Sequence, residues 1–224
     1  SNSTLLAFDG TTPAAVAAAG VVGSATVAAR RDHVHASVSG AITTVDNNIA
    51  RYTGTAGALQ GYTSGGPTIG DTGIMLQPGQ PCVLAYNSAT DSNVTGGGTT
   101  ATIDFDSELW DFNGDFASDT FTAPVTGKYK VNLYVNLSGI TSDMDLAYLA
   151  LKPSNREWGS RQYNPGGIMD GANNVAEQIS ATLDMDASDT MTFTVLFGGG
   201  SDVADINGSA STYMNTFVGI ELVA

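Results

Sequence analysis

Lys128-Tyr129-Lys130-Val131-Asn132-Leu133-Tyr134-Val135-Asn136-Leu137 alternates polar and apolar side chains over ten residues. A period of two places one set of side chains on each face of an extended strand, so this stretch predicts a strand with one buried face. Similar runs rich in Val, Leu, Phe, Tyr and Thr follow it and precede it: Phe121–Pro124, Ala147–Leu151, Glu177–Leu183, Thr190–Phe197 and Thr212–Val223. Turn signals separate them, including Asn113-Gly114, Thr126-Gly127, Ser138-Gly139, Asn164-Pro165-Gly166-Gly167, Gly198-Gly199-Gly200 and Asn207-Gly208. Many short strands with Gly-rich turns predict an all-β antiparallel sandwich, for which a jelly roll is one closure. Lys152 to Asn174 breaks this pattern and is expected to be a long connecting segment.

The composition agrees with a β-rich chain. Of 224 residues, only 13% are charged and 27 are Gly. Helical surfaces draw on Lys, Glu and Arg, which are scarce here, while 42% hydrophobic residues are too many for a charged disordered chain. Twenty-two acidic residues against eight basic ones give a net charge of −14. A nucleic-acid binder needs clustered Lys and Arg to displace counterions, so no nucleic-acid partner is expected. No run of about 20 apolar residues occurs, so no membrane insertion is expected. Cys82 is the single cysteine, which excludes an intrachain disulfide and a cysteine-based zinc site within one chain.

The charge is unevenly spread. Residues 1–70 hold Asp9, Asp32 and Asp46 against Arg30, Arg31 and Arg51 and sum to zero, so the remaining residues carry 19 acids and 5 bases. With Gly65-Gly66-Pro67, this shift suggests a first region over residues 1–75 and a head over residues 76–224. The first region is rich in Ala, Gly, Thr and Ser, in pieces too short to bury an apolar face alone. It reads either as a flexible linker or as a small-residue stalk that orders by packing against copies of itself.

Trp110-Asp111-Phe112-Asn113-Gly114-Asp115-Phe116, followed by Phe121-Thr122-Ala123-Pro124 and Gly127-Lys128-Tyr129, resembles the strand-turn-strand signature of C1q/TNF-like jelly-roll domains. Ala147–Leu151, Asp186–Val195 and the closing Ser211–Ile220 resemble further strands of that family in the same order. One departure is Ser188, where the family has Gly before Asp189. The resemblance covers about residues 80–224 and implies a homotrimer.

Gly23–His35 resembles a "GTA…AAR-x-DHVH" segment of bacteriophage fibre and tail proteins, and Asp46–Thr55 with Asp71–Ile74 is similar to a stretch leading into phage fibre heads. This implies a virion fibre or spike: an intertwined trimeric stalk that meets other virion proteins, then a C1q/TNF-like antiparallel jelly-roll head. Such a protein is assembled in the host cytoplasm and exposed on the particle surface.

Three clusters are candidates for chemistry or binding. His33 and His35 are the only histidines, and on a strand they share a face. Around a threefold axis they supply six imidazoles, enough for an octahedral transition metal such as Fe(II), Ni or Co. The needle tip of T-even-type fibres is similar in this HxH motif, which implies iron. The other reading is a metal-free pair beside Asp32. Asp104, Asp106, Asp111 and Asp115, with Glu108 and Asn113, present hard oxygen ligands suited to Ca2+. The EF-hand pattern is not met, and the other reading is a solvated acidic strand edge. Arg156, Trp158, Arg161, Tyr163 and Asn164 combine bases and aromatics in the segment that interrupts the strands. They suit a surface glycan or an outer-membrane protein receptor. The alternative is that Trp158 and Tyr163 pack under the loop or at a trimer seam.

No enzyme is expected. Both histidines lie in the first region, away from the head, and Gly96-Gly97-Gly98 lacks the Lys of a phosphate loop. Paired acids for glycoside cleavage are always to be found among 22 carboxylates. The alternatives to a receptor-binding fibre are a structural virion protein with the head as trimerisation cap, a host-polysaccharide depolymerase, and a secreted bacterial C1q-like protein.

Overall fold

The structure is a computed structural model that describes residues 51–53, 58–60, 66–69, 71–210 and 213–224. The chain divides between Met75 and Leu76 into two compact units. In the first, β1 (Arg51–Thr53) and β2 (Ala58–Gln60) pair antiparallel. A second two-stranded ladder joins β3 (Thr68–Ile69) and β4 (Met75–Leu76). His33, His35 and the predicted stalk lie outside the described residues.

The head is a two-sheet antiparallel jelly roll. Its elements are β5 (Cys82–Tyr86), β6 (Asp91–Thr95), β7 (Thr100–Thr102), β8 (Ser107–Asp111), β9 (Phe116–Ala117), β10 (Thr120–Thr122), β11 (Gly127–Ser138), β12 (Leu146–Pro153), β13 (Trp158–Tyr163), α1 (Pro165–Ile168), β14 (Val175–Met185), β15 (Thr190–Gly198), β16 (Ala204–Ile206) and β17 (Phe217–Leu222). One sheet runs β14-β11-β17-β5-β8, with β16 and then β6 continuing it beyond the end of β17. The other runs β13-β12-β15-β10-β9, with β7 alongside β15.

The alternation read in the sequence sets the core. On β11, Tyr129, Val131, Leu133, Val135 and Leu137 point inward and are buried, while Lys128, Lys130, Asn132, Tyr134 and Asn136 point outward. The second sheet answers with Ala147, Leu149 and Leu151 of β12 and Met191, Phe193, Val195 and Phe197 of β15. Phe193 meets Phe105 edge-on at 5.5 Å and stacks near Phe116 at 6.3 Å, arrangements that aromatic quadrupoles favour. Tyr129 is fully buried because its hydroxyl donates to the Val125 carbonyl at 2.7 Å, which satisfies the one polar atom it brings inside.

Three sequence expectations change. Lys152 to Asn174 does not interrupt the sheet: β12 continues to Pro153 and residues 158–163 form β13, in register with β12 from Leu146↔Tyr163 to Leu151↔Trp158. The last strand begins at Phe217, because the buried Thr216 hydroxyl donates to the Asn207 carbonyl (2.8 Å) and accepts from the Asn136 N–H (3.2 Å), fixing the entry turn. Five strands, β5 to β9, precede the first expected run.

The turns carry their own constraints. Gly139 has φ 72°, and a Cβ there would strike the Val203 carbonyl, so this turn admits only glycine. Ser188 also has a positive φ, 76°, the region where glycine is at ease. Its turn is held by Asp189, whose Oδ2 accepts from the Asp186 N–H at 2.9 Å.

Candidate functional site

The hairpin of β12 and β13 forms the edge of its sheet, and strand alternation divides the predicted binding residues between its two faces. Trp158 stands opposite Leu151, points inward and packs against the core. Arg161 and Tyr163 point outward with Gly159 between them and Trp158 in sequence, and Tyr163 is 73% exposed. Arg161 and Tyr163 are therefore brought together, and Trp158 is separated from them.

A polar network builds the outward face. The Tyr148 hydroxyl donates to Glu157 Oε1 at 2.6 Å, and that bond, followed by burial and the Glu157 charge, raises the phenol above its usual range. The Arg161 guanidinium lies 4.9 Å from the centre of the Tyr148 ring, a cation–π contact. Gly159 makes room for this, because a Cβ there would enter the Tyr148 ring. Lys152 reaches Glu157 at 3.7 Å, and Arg156 reaches Asp184 at 4.0 Å. Such exposed pairs orient side chains more than they stabilise the fold.

The turn between the strands is pinned from below. Asp189 Oδ1 accepts from the Ser154 hydroxyl at 2.6 Å, and Oδ2 accepts from Asn155 Nδ2 at 3.0 Å. The Ser154 bond first, and then the Asp186 N–H, hold the Asp189 carboxyl below its usual range. Asn164 ends β13 in a left-handed conformation, φ 60°, and its N–H donates to the Asp145 carbonyl at 2.7 Å. It sits in the turn before the four-residue helix α1.

The acidic candidates fall into two groups. Asp111 closes a turn: Oδ1 accepts from the N–H groups of Asn113 (3.3 Å), Gly114 (3.0 Å) and Asp115 (3.0 Å), and Oδ2 from Phe116 (2.8 Å). Asp115 beside it is raised, mainly by burial. Asp106 instead accepts from the Ser88 N–H (2.8 Å) and hydroxyl (2.7 Å), and the hydroxyl bond is the main cause of its lowered pKa. Asp104 is raised to about 6, first by burial and then by its hydrogen bond with Asp119. Among the described residues no group of three or more His, Cys, Asp and Glu side chains is arranged to hold a metal ion.

The outward face of the other sheet holds a feature that the sequence reading missed. Tyr134, Phe217 and Tyr86 lie in register across β11, β17 and β5, all half-buried. Tyr134 and Phe217 stack at 5.5 Å with 21° between their rings. The next row brings Leu84 opposite Trp110, which is 43% exposed. Asn132 and Ser180 join across β11 and β14 at 2.7 Å, and beyond Asn132 the same face carries the Lys130–Glu221 ion pair at 3.0 Å. The signal was present in the even-numbered residues of the β11 alternation, where Tyr134 breaks an otherwise polar set.

No family model matches the chain, and no curated protein matches it. Among solved structures the chain is similar to the globular domain of zebrafish complement 1qA protein, at 14% identity and TM-score 0.43, over 65% of this chain and 98% of that one. It is also similar to murine APRIL in two crystal structures. At pH 5.0 the identity is 12% and the TM-score 0.43, over 64% of this chain and 99% of that one. At pH 8.5 they are 11% and 0.42, over the same shares. The jelly roll itself is defined by this chain's own strand order and pairing.

Proposed function

We propose that the chain is a homotrimeric fibre or spike protein of a bacteriophage virion, whose head binds a host surface receptor during adsorption and performs no catalytic step. Residues 1–75 then form the stalk that meets other virion proteins. The phage assignment draws on the Gly23–His35 and Asp46–Ile74 motifs. In a parallel trimer, His33 and His35 would contribute six imidazoles on the axis, a donor set for iron or a similar transition metal.

One observation carries the receptor reading: Arg161 is stacked on Tyr148 beside the exposed Tyr163, on an outward sheet face. A guanidinium and aromatic faces held on strands are pre-ordered, so little conformational freedom is lost on binding. A glycan or an outer-membrane protein offers the hydroxyl, carboxylate or phosphate groups that such a face binds. The trimer is supported by the half-exposed aromatic row of Tyr134, Phe217 and Tyr86 on the other sheet. Three heads on one stalk multiply weak contacts through effective concentration.

The test is competition of the purified chain with phage for host cells, comparing wild type with the double variant Arg161→Ala, Tyr163→Ala. Loss of competition with an intact fold supports the adhesin. Undiminished competition removes this face from the account, and no competition by wild type favours the structural trimerisation cap.

A further inference from the structure

The inward face of β14 reads Val175, Glu177, Ile179, Ala181, Leu183 and Met185, and one of these six is acidic. Glu177 stands opposite Val135 of β11, points between the sheets and is only 5% exposed. An ionised carboxylate at such a position loses its water and needs a compensating partner. Its neighbour is an amide: Gln162 of β13, with its nitrogen turned toward Glu177, donates to Oε2 at 3.3 Å and also to Oε1. With its oxygen turned inward, the same amide accepts the proton of the neutral acid. The neutral acid thus has a matching partner in this amide, whereas the ionised carboxylate would keep one neutral donor and no countercharge at a position only 5% exposed.

The pair sits where the two sheets meet at an open edge. β14 is the outermost strand beside β11, and β13 is the outermost strand beside β12. Among the described residues no cation faces Glu177. The inward residues of β13 are Trp158, Ser160 and Gln162, and those of β12 are Ala147, Leu149, Leu151 and Pro153. On β11 the titratable inward group is Tyr129, six residues from Val135, with its hydroxyl bonded to Val125. Helix α1 has no titratable side chain, and Asp145 and Asp170 in the neighbouring loops are exposed. Burial alone moves the Glu177 carboxyl, up to about 7.

We propose that Glu177 and Gln162 form a proton-operated latch on the β13–β14 edge of the head. The neutral carboxyl holds β13 against β14, and loss of the proton loosens that edge. Gln162 lies between Arg161 and Tyr163 on β13, so the outward face moves with the latch. The latch rests on the geometry of the edge and holds whether or not that face binds a receptor.

The test is hydrogen exchange of the full chain at about pH 5.5 and about pH 8.5, corrected for intrinsic exchange rates. Wild type is expected to lose protection about tenfold at the higher pH in peptides covering 158–163 and 175–179, with β5 and β17 unchanged. Glu177→Gln is expected to show equal protection at both pH values. Equal protection in wild type, or a tenfold change that survives in Glu177→Gln, overturns the latch. A carboxyl-carbon NMR titration of wild type needs no variant: a midpoint near neutrality supports the latch, and one below about pH 5 overturns it.

Discussion

The Arg161 guanidinium lies 4.9 Å from the centre of the Tyr148 ring, and that ring occupies the space a side chain at position 159 would fill. Three residues on two adjacent strands therefore depend on one another. Gly159→Val is expected to displace Tyr148, release Glu157 and unstack Arg161 while leaving the core intact. Receptor binding should fall about tenfold, with Tm lowered by only a few degrees. Binding to host cells and a thermal melt on the same preparation check both parts.

Trp158 and Tyr163 are expected to respond in opposite ways. Trp158→Ala removes a side chain packed against the core and should cost about 2–4 kcal/mol. Tyr163→Ala removes an exposed ring and should change stability by less than about 0.5 kcal/mol while weakening adsorption. Denaturant melts of the two variants separate the effects.

Phe193 is the centre of the aromatic core, in contact with both Phe105 and Phe116. Phe193→Ala is expected to cost about 3–5 kcal/mol, the range for truncating a buried ring. Urea unfolding monitored by circular dichroism measures it.

Asp111 spends its carboxylate on four backbone N–H groups. Asp111→Ala should lower Tm by several degrees, because those donors lose their acceptor. Added Ca2+ is expected to leave the wild-type Tm unchanged, since this carboxylate is already occupied. Melts with Ca2+ and with chelator decide the point.

Asp104 supplies a pH dependence with a definite sign. Its pKa in the fold, about 6, stands above the ordinary 3.8, so the proton is bound more tightly in the folded chain. The stabilisation from this group is full below about pH 3.8 and is lost as pH rises through about 6. Asp104→Asn should remove that component, read as the difference between Tm-against-pH curves of variant and wild type.

The alternation from Lys128 to Leu137 placed the central strand and its buried face correctly because every second residue there is apolar. The same reading passed over β13, since its inward positions are Trp158, Ser160 and Gln162, and two polar residues hide the period. Strands β5 to β9 are two to five residues long, too short for a period to emerge, and Asp, Ser and Thr fill several of their positions. Arg161 and Tyr163 were recognisable as residue types. That Trp158 turns away from them follows from counting along β13, once β13 is known to be a strand. Glu177 was legible in principle, as an acid at an inward position between Val175 and Ile179. His33 and His35 lie outside the described residues.

The most direct test of the central claim is the solution mass of the intact chain by light scattering, with transition-metal content read on the same peak. A trimer of about 69 kDa, three chains of 22.9 kDa, is expected, with about one metal ion per three chains at His33 and His35. A metal-free trimer would remove the ion and leave the fibre. A monomer near 22.9 kDa would contradict the trimeric stalk, the aromatic seam and the avidity argument together.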